Sequence, residues 1–171
     1  QGLSIQGPSI QRLLKVGLAL ALTAAAGLAA AQTSFTATYK GGSSSTCGTT
    51  YNITGKEPSG SGKYPLFVYI GGTGENYTSV WGGASLDAAA ARGFVAASVQ
   101  YDNASFGSCS TISTRAKCIF NQSNTNSAVS KLCARSKVDC SKGIVTGGLS
   151  QGSVISVLAR NYDSRVRASW G

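Results

Sequence analysis

The sequence predicts an α/β fold with a mainly parallel sheet and flanking helices, and three observations carry the prediction. Two continuous apolar runs, Pro65–Ile70 and Phe94–Val99, have the composition of strands buried on both faces. A third strand, Gly143–Thr146, runs into Gly147-Gly148-Leu149-Ser150-Gln151-Gly152 and then directly into an apolar helix. Segments of helical patterning separate these strands, and strands joined through helices are crossover-connected and parallel.

The first segment reads as an address. Arg12 and Lys15 precede the apolar stretch Val16–Ala31, which closes on Ala29-Ala30-Ala31. This is the charged, apolar and small-residue order of a secretory signal, and it is shorter than the roughly 20 apolar residues of a spanning helix. Residues 1–31 are therefore expected to be removed, leaving 32–171 as a secreted, extracytoplasmic domain with no stable membrane anchor.

Within that domain, Phe35–Tyr39 and Thr49–Thr54 read as two short strands about a Gly/Ser turn, an antiparallel lead-in to the sheet. Gly71-Gly72-Thr73-Gly74 breaks the strand Pro65–Ile70. A helix is expected over Ser79–Arg92, ended by Gly93. After the strand Phe94–Val99, the polar stretch 102–122 reads as an excursion loop, and Ser127–Arg135 as a short helix. A buried helix is expected over Ser153–Asn161, and Val166–Trp170 begins a sixth strand.

Composition excludes several chemistries. The 171 residues contain no His, so no Ser-His-Asp, Cys-His or His-ligated zinc site is complete within them. They also contain no Met, and the chain begins at Gln1, as expected of a piece of a longer reading frame. Removing Arg12 and Lys15 with the leader lowers the formal charge from +9 to +7. The remaining basic residues are dispersed, without a like-charge run or interleaved aromatics, which argues for solvated surface and against nucleic-acid binding. No dinucleotide fingerprint, phosphate loop, Ser-x-x-Lys or Cys-x-x-Cys is present, and no cofactor or metal is expected. Export makes the five cysteines disulfide candidates. Neighbour pairing is expected for Cys109 with Cys118 and Cys133 with Cys140. Cys47 is then either a free buried thiol or has a partner beyond Gly171. Asn52, Asn76, Asn103 and Asn121 begin Asn-x-Ser/Thr sequons, which matter in a host that glycosylates exported proteins.

One constellation carries chemistry. Gly148-Leu149-Ser150-Gln151-Gly152 is a Gly-x-Ser-x-Gly pentapeptide, whose logic is a sharp strand-to-helix turn that lifts the serine above the sheet. Side chains at the two outer positions would collide with the neighbouring elements, so glycine is favoured there. In a chain this rich in Gly and Ser the pentapeptide alone is weak evidence; the buried strand before it and the apolar helix after it give it weight. Together with Phe67-Val68-Tyr69-Ile70-Gly71-Gly72-Thr73-Gly74 upstream, it makes residues 34–171 resemble the first part of a secreted α/β-hydrolase. The resemblance implies Ser150 as nucleophile, Gln151 as one backbone oxyanion donor and Gly72 or Thr73 as the other. It further implies a partial fold, truncated after about the sixth strand.

The departure from the family pattern bears on mechanism. The family places its acid and then its His after the nucleophile, and here only Asp163 follows as an acid, ahead of the usual position. The expectation is a secreted serine hydrolase that cleaves small-molecule or polymeric carboxylic esters through a Ser150 acyl-enzyme and is inactive as these 171 residues alone. The alternative is a catalytically inactive, basic, disulfide-stapled secreted binding module on the same fold.

Overall fold

The computed structural model describes residues 31–171, so the expected leader lies outside the described residues except for Ala31. Six strands form one sheet: β1 (Gln32–Tyr39), β2 (Tyr51–Pro58), β3 (Leu66–Ile70), β4 (Val95–Val99), β5 (Ile144–Gly148) and β6 (Val166–Trp170). Their spatial order is β1-β2-β4-β3-β5-β6. β1 pairs antiparallel with β2, and β2 antiparallel with β4. The pairs β4–β3, β3–β5 and β5–β6 are parallel. The sheet is thus mixed, with an antiparallel lead-in and a parallel part that carries the crossovers.

The continuous apolar composition of β3 has a direct cause, since every one of its five residues is buried. Leu66, Val68 and Ile70 face a core shared with Ile112, Ile119, Leu132 and Ile155, while Phe67 and Tyr69 face a smaller cluster with Leu86 and Ala90. The larger core is covered by α2 (Cys109–Phe120), α3 (Ala128–Cys133) and α4 (Gln151–Leu158); the smaller one is covered by α1 (Val80–Ala91).

Two expectations are corrected. The stretch 102–122 is not only a loop, because it contains α2, capped by Ser108, whose side chain accepts from Thr111 N–H at 3.3 Å. Its polar composition hides a narrow apolar stripe in which Ile112, Ala116, Ile119 and Phe120 recur at helical spacing and are buried. That helix also decides the disulfides. Cys109 and Cys118 lie at opposite ends of α2, separated by a rise of about 13 Å, far beyond the reach of a disulfide. Instead Cys47 pairs with Cys118, tying the turn between β1 and β2 to α2, and Cys109 is free and exposed. Cys133 pairs with Cys140 as expected. Cys47 therefore needs no partner beyond Gly171.

Register shifts between β5 and β6 at Ile144/Val145, where Ile144 pairs with Val166 but Val145 pairs with Ala168. The extra residue, Arg167, forms a bulge that changes which side of the sheet the following side chains face. Val166 enters the larger core, whereas Trp170 turns to the α1 side and stacks on Phe67 with ring centroids 6.4 Å apart.

Candidate active site

The site is built where β3 and β5 end side by side. β5 ends at Gly148 and α4 begins at Gln151, leaving Leu149 and Ser150 to make the whole turn. Ser150 has φ 51° and ψ −118°, and among the described residues it is the single non-glycine residue with positive φ. Such a conformation costs about 1–3 kcal/mol and persists only where the surroundings impose it. Two glycines impose it here. A Cβ on Gly152 would lie 2.0 Å from the Ile70 carbonyl oxygen, and one on Gly148 would lie 2.3 Å from the Gly152 carbonyl carbon. α4 therefore starts in direct backbone contact with the end of β3, and the exposed Ser150 is held above the sheet.

The loop after β3 is braced by buried and half-buried polar groups. Glu75 accepts from Gly72 N–H at 2.7 Å, from Tyr69 Oη–H at 3.1 Å and from the Ser79 hydroxyl. Asn103 donates from Nδ2 to the carbonyl oxygens of Gly72 at 2.7 Å and Glu75 at 2.8 Å, while its own carbonyl accepts from Gly74 N–H at 2.8 Å. Tyr101 donates to the Gly71 carbonyl at 2.8 Å. Burial, reinforced by the Glu75 carboxylate, pushes the Tyr69 phenol up to about 12; burial also raises that of Tyr101. Both phenols stay protonated and keep donating through the neutral range.

These bonds discriminate between the residues nominated as oxyanion donors. A Cβ on Gly72 would be 3.4 Å from Ser150 Cβ, so this loop lies against the serine, but the Gly72 N–H is engaged by Glu75. The N–H groups of Thr73 and Gln151 have no protein partner among the described residues. For Gln151 this follows from its place at the first position of a helix, where amides lack intrahelical acceptors. The buried Gln151 side chain links the two halves of the site. Its Nε2 donates to Thr73 Oγ1 at 3.2 Å and to the Ser105 carbonyl at 3.3 Å, and its Oε1 accepts from Arg115 Nη1. Arg115 is itself 3% exposed and also holds the Ser105 and Phe106 carbonyls. Glu75, Tyr101 and Arg115 carry no sequence motif, and Asn103 carries only a sequon that does not point to this loop; they reach the site through folding contacts spanning up to 36 positions.

Asp163 lies at the opposite end of the sheet, ahead of β6, whereas Ser150 follows the parallel strand β5. It is fully buried and paired with Arg165 at 2.7 Å, which also raises the arginine pKa through the hydrogen bond. Its role is to close the turn into β6.

Beside the serine turn, on the α1 face, is an apolar cleft of about 300 Å³ lined by Tyr69, Trp81, Ser85, Gly148, Leu149 and Trp170. The Trp170 indole lies over Gly147, where a Cβ would come within 2.5 Å of the ring. Sequence periodicity does not find this cleft, because the Arg167 bulge determines where Trp170 points.

No family model matches the sequence, and no curated protein matches it. Solved structures do. The chain is similar to a dienelactone hydrolase-like promiscuous phosphotriesterase from metagenomic libraries, with TM-score 0.61 and 19% identity over 81% of this chain and 58% of that one. It is similar to an acetyl xylan esterase from Paenibacillus sp. R4, with TM-score 0.57 and 20% identity over 81% of this chain and 48% of that one. For esterase Est22 the values are 0.56 and 19%, over 82% of this chain and 43% of that one. The fold is therefore of the α/β-hydrolase type, and the chain spans roughly half the length of these structures.

Proposed function

We propose that the protein is a secreted serine hydrolase acting on carboxylic esters, and that residues 32–171 supply its nucleophile and oxyanion donors. The observation that carries this reading is the strained Ser150 turn, locked by Gly148 and Gly152 against the end of β3. Two structural neighbours are esterases by name, and they favour ester chemistry on this frame.

In this reading Ser150 Oγ attacks the ester carbonyl carbon as a base takes the hydroxyl proton. The carbonyl oxygen becomes an oxyanion that accepts from the N–H groups of Gln151 and Thr73. Such preorganised donors each contribute on the order of 10²–10³ in rate. The Gln151 side chain acts as a positioning group, holding the Thr73 loop at a fixed distance from α4. Collapse of the intermediate breaks the ester C–O bond, the alcohol leaves with the proton, and water then hydrolyses the acyl-enzyme by the same route. The base and the acid that orients it come from sequence beyond Gly171, since no imidazole exists within the 171 residues. Residues 1–31 serve as the removed leader. Two disulfides are compatible with an oxidising compartment, and no described helix is long and apolar enough to cross a membrane.

The test is turnover of a short-chain ester. The reading frame extended past Gly171 should hydrolyse it, Ser150→Ala should abolish that activity with the fold retained, and the 171-residue chain should be inactive. An extended protein without ester turnover would favour the inactive binding module; turnover indifferent to Ser150→Ala would remove the assignment.

A further inference from the structure

Folding sorts the four Asn-x-Ser/Thr triplets by what their side-chain amides do. N-linked transfer joins Asn Nδ2 to C1 of a sugar, so one amide hydrogen is lost and a bulky substituent takes its place. Asn103 uses both Nδ2 hydrogens, one to the Gly72 carbonyl and one to that of Glu75, inside the loop beside Ser150. Asn52, on β2 between β1 and β4, donates from Nδ2 to Gln100 Oε1 at 3.0 Å. Asn121 is half-buried where α2 ends; its backbone carbonyl accepts from the Ser127 hydroxyl at 2.9 Å, its Oδ1 accepts from Ser123 N–H at 3.1 Å, and its Nδ2 has no protein partner among the described residues. Asn76 combines the exposure of Asn52 with the unpartnered Nδ2 of Asn121. It is exposed, its Nδ2 has no protein partner among the described residues, and its Oδ1 accepts from Thr78 N–H at 3.0 Å and Thr78 Oγ1 at 2.8 Å.

We propose that Asn76 is a site of N-linked glycosylation and that Asn103 is not, in a host whose secretory compartment holds a lipid-pyrophosphate-linked oligosaccharide. The new bond forms between Asn76 Nδ2 and the sugar C1. The bond from C1 to the pyrophosphate oxygen breaks, the lipid pyrophosphate leaves with the electron pair, and Nδ2 loses one proton. At Asn76 this disturbs no hydrogen bond, whereas at Asn103 it would remove a brace of the Gly71–Glu75 loop. The sugar would stand on the connection from β3 to α1, three residues beyond Thr73. The proposal rests on the secretory reading.

The experiment is export of the full 171-residue chain from a glycosylating eukaryotic host, followed by amidase release of glycans in ¹⁸O-water and peptide mapping. Expected is ¹⁸O-labelled Asp in the peptide containing residue 76 and unmodified Asn in the peptide containing residue 103. Asn76→Gln should remove one glycan's mass. An unlabelled residue 76 in exported protein, or a labelled residue 103 in disulfide-intact protein, overturns the assignment. Should the chain's own leader give no export, residues 32–171 behind a heterologous leader give the same map, so a failed leader and a failed glycan site are told apart. Should neither be exported, translation with microsomes behind the heterologous leader decides by gel shift, and a shift unaffected by Asn76→Gln counts against the proposal.

Discussion

The two faces of the sheet are built to different standards of closure. Against one, α2, α3 and α4 seal a core in which Ile119, Leu132, Ile144 and Ile155 are fully buried, and both disulfides tie elements on that side. The other is covered by α1 alone, leaving Trp81 70% and Trp170 51% exposed along an apolar cleft. Ser150 stands at the seam between them. The contrast teaches that rigidity at the serine turn comes from the sealed face and from backbone contact with β3, so the open face is free to vary without loosening the turn.

Removing the longer staple should have the largest effect. Cys47→Ser with Cys118→Ser frees a loop of sequence separation 71, worth about 4 kcal/mol in the chain-entropy account. Urea unfolding should show a loss of unfolding free energy of that size, and a loss below about 1 kcal/mol would mean that the sealed face does not depend on its staple. Next comes a matched pair. Ile155→Ala on the sealed face should cost about 3 kcal/mol through cavity formation. Trp170→Ala on the open face should cost about 1 kcal/mol, because the indole is half in solvent already. Equal costs would erase the distinction between the faces.

That distinction also marks what the sequence could reveal. The strands β3 and β4 were legible because burial on both faces demands unbroken apolar runs, and the serine turn because its glycines are required by steric contact at Gly148 and Gly152. α2 was not, since Ser, Thr, Lys and Arg fill half of its twelve positions and one of its six buried residues is Arg115. Nor was the pairing of Cys47, which depends on α2 being a helix. The cleft was hidden for a subtler reason: one inserted residue, Arg167, reverses the facing of Trp170. The Arg115–Gln151–Thr73 chain ties the two glycine motifs to Arg115 on α2, a residue with no local signature.

A smaller effect lies in alkaline solution. Tyr69 holds its proton more tightly folded than unfolded, with a folded pKa of about 12 against an ordinary 10, because burial and Glu75 disfavour the phenolate. Its contribution is whole below pH 10 and is lost as pH rises through 12. Stability measured from pH 9 to 12 should therefore fall, and Tyr69→Phe should flatten part of that fall. An unchanged slope in Tyr69→Phe would place the loss on Tyr39 and Tyr101 of the sealed face, whose phenols are also raised by burial.

If Ser150 is, as proposed, a nucleophile whose base lies outside these residues, covalent labelling will separate the two lengths of chain. The extended protein and the 171-residue chain would each be exposed to an activated phosphonate ester and read by intact mass and peptide mapping. Expected is one phosphonyl group on Ser150 in the extended protein and none, on the same timescale, in the 171-residue chain. Rapid labelling of Ser150 in the 171-residue chain, or labelling of a different serine in the extended protein, would contradict it.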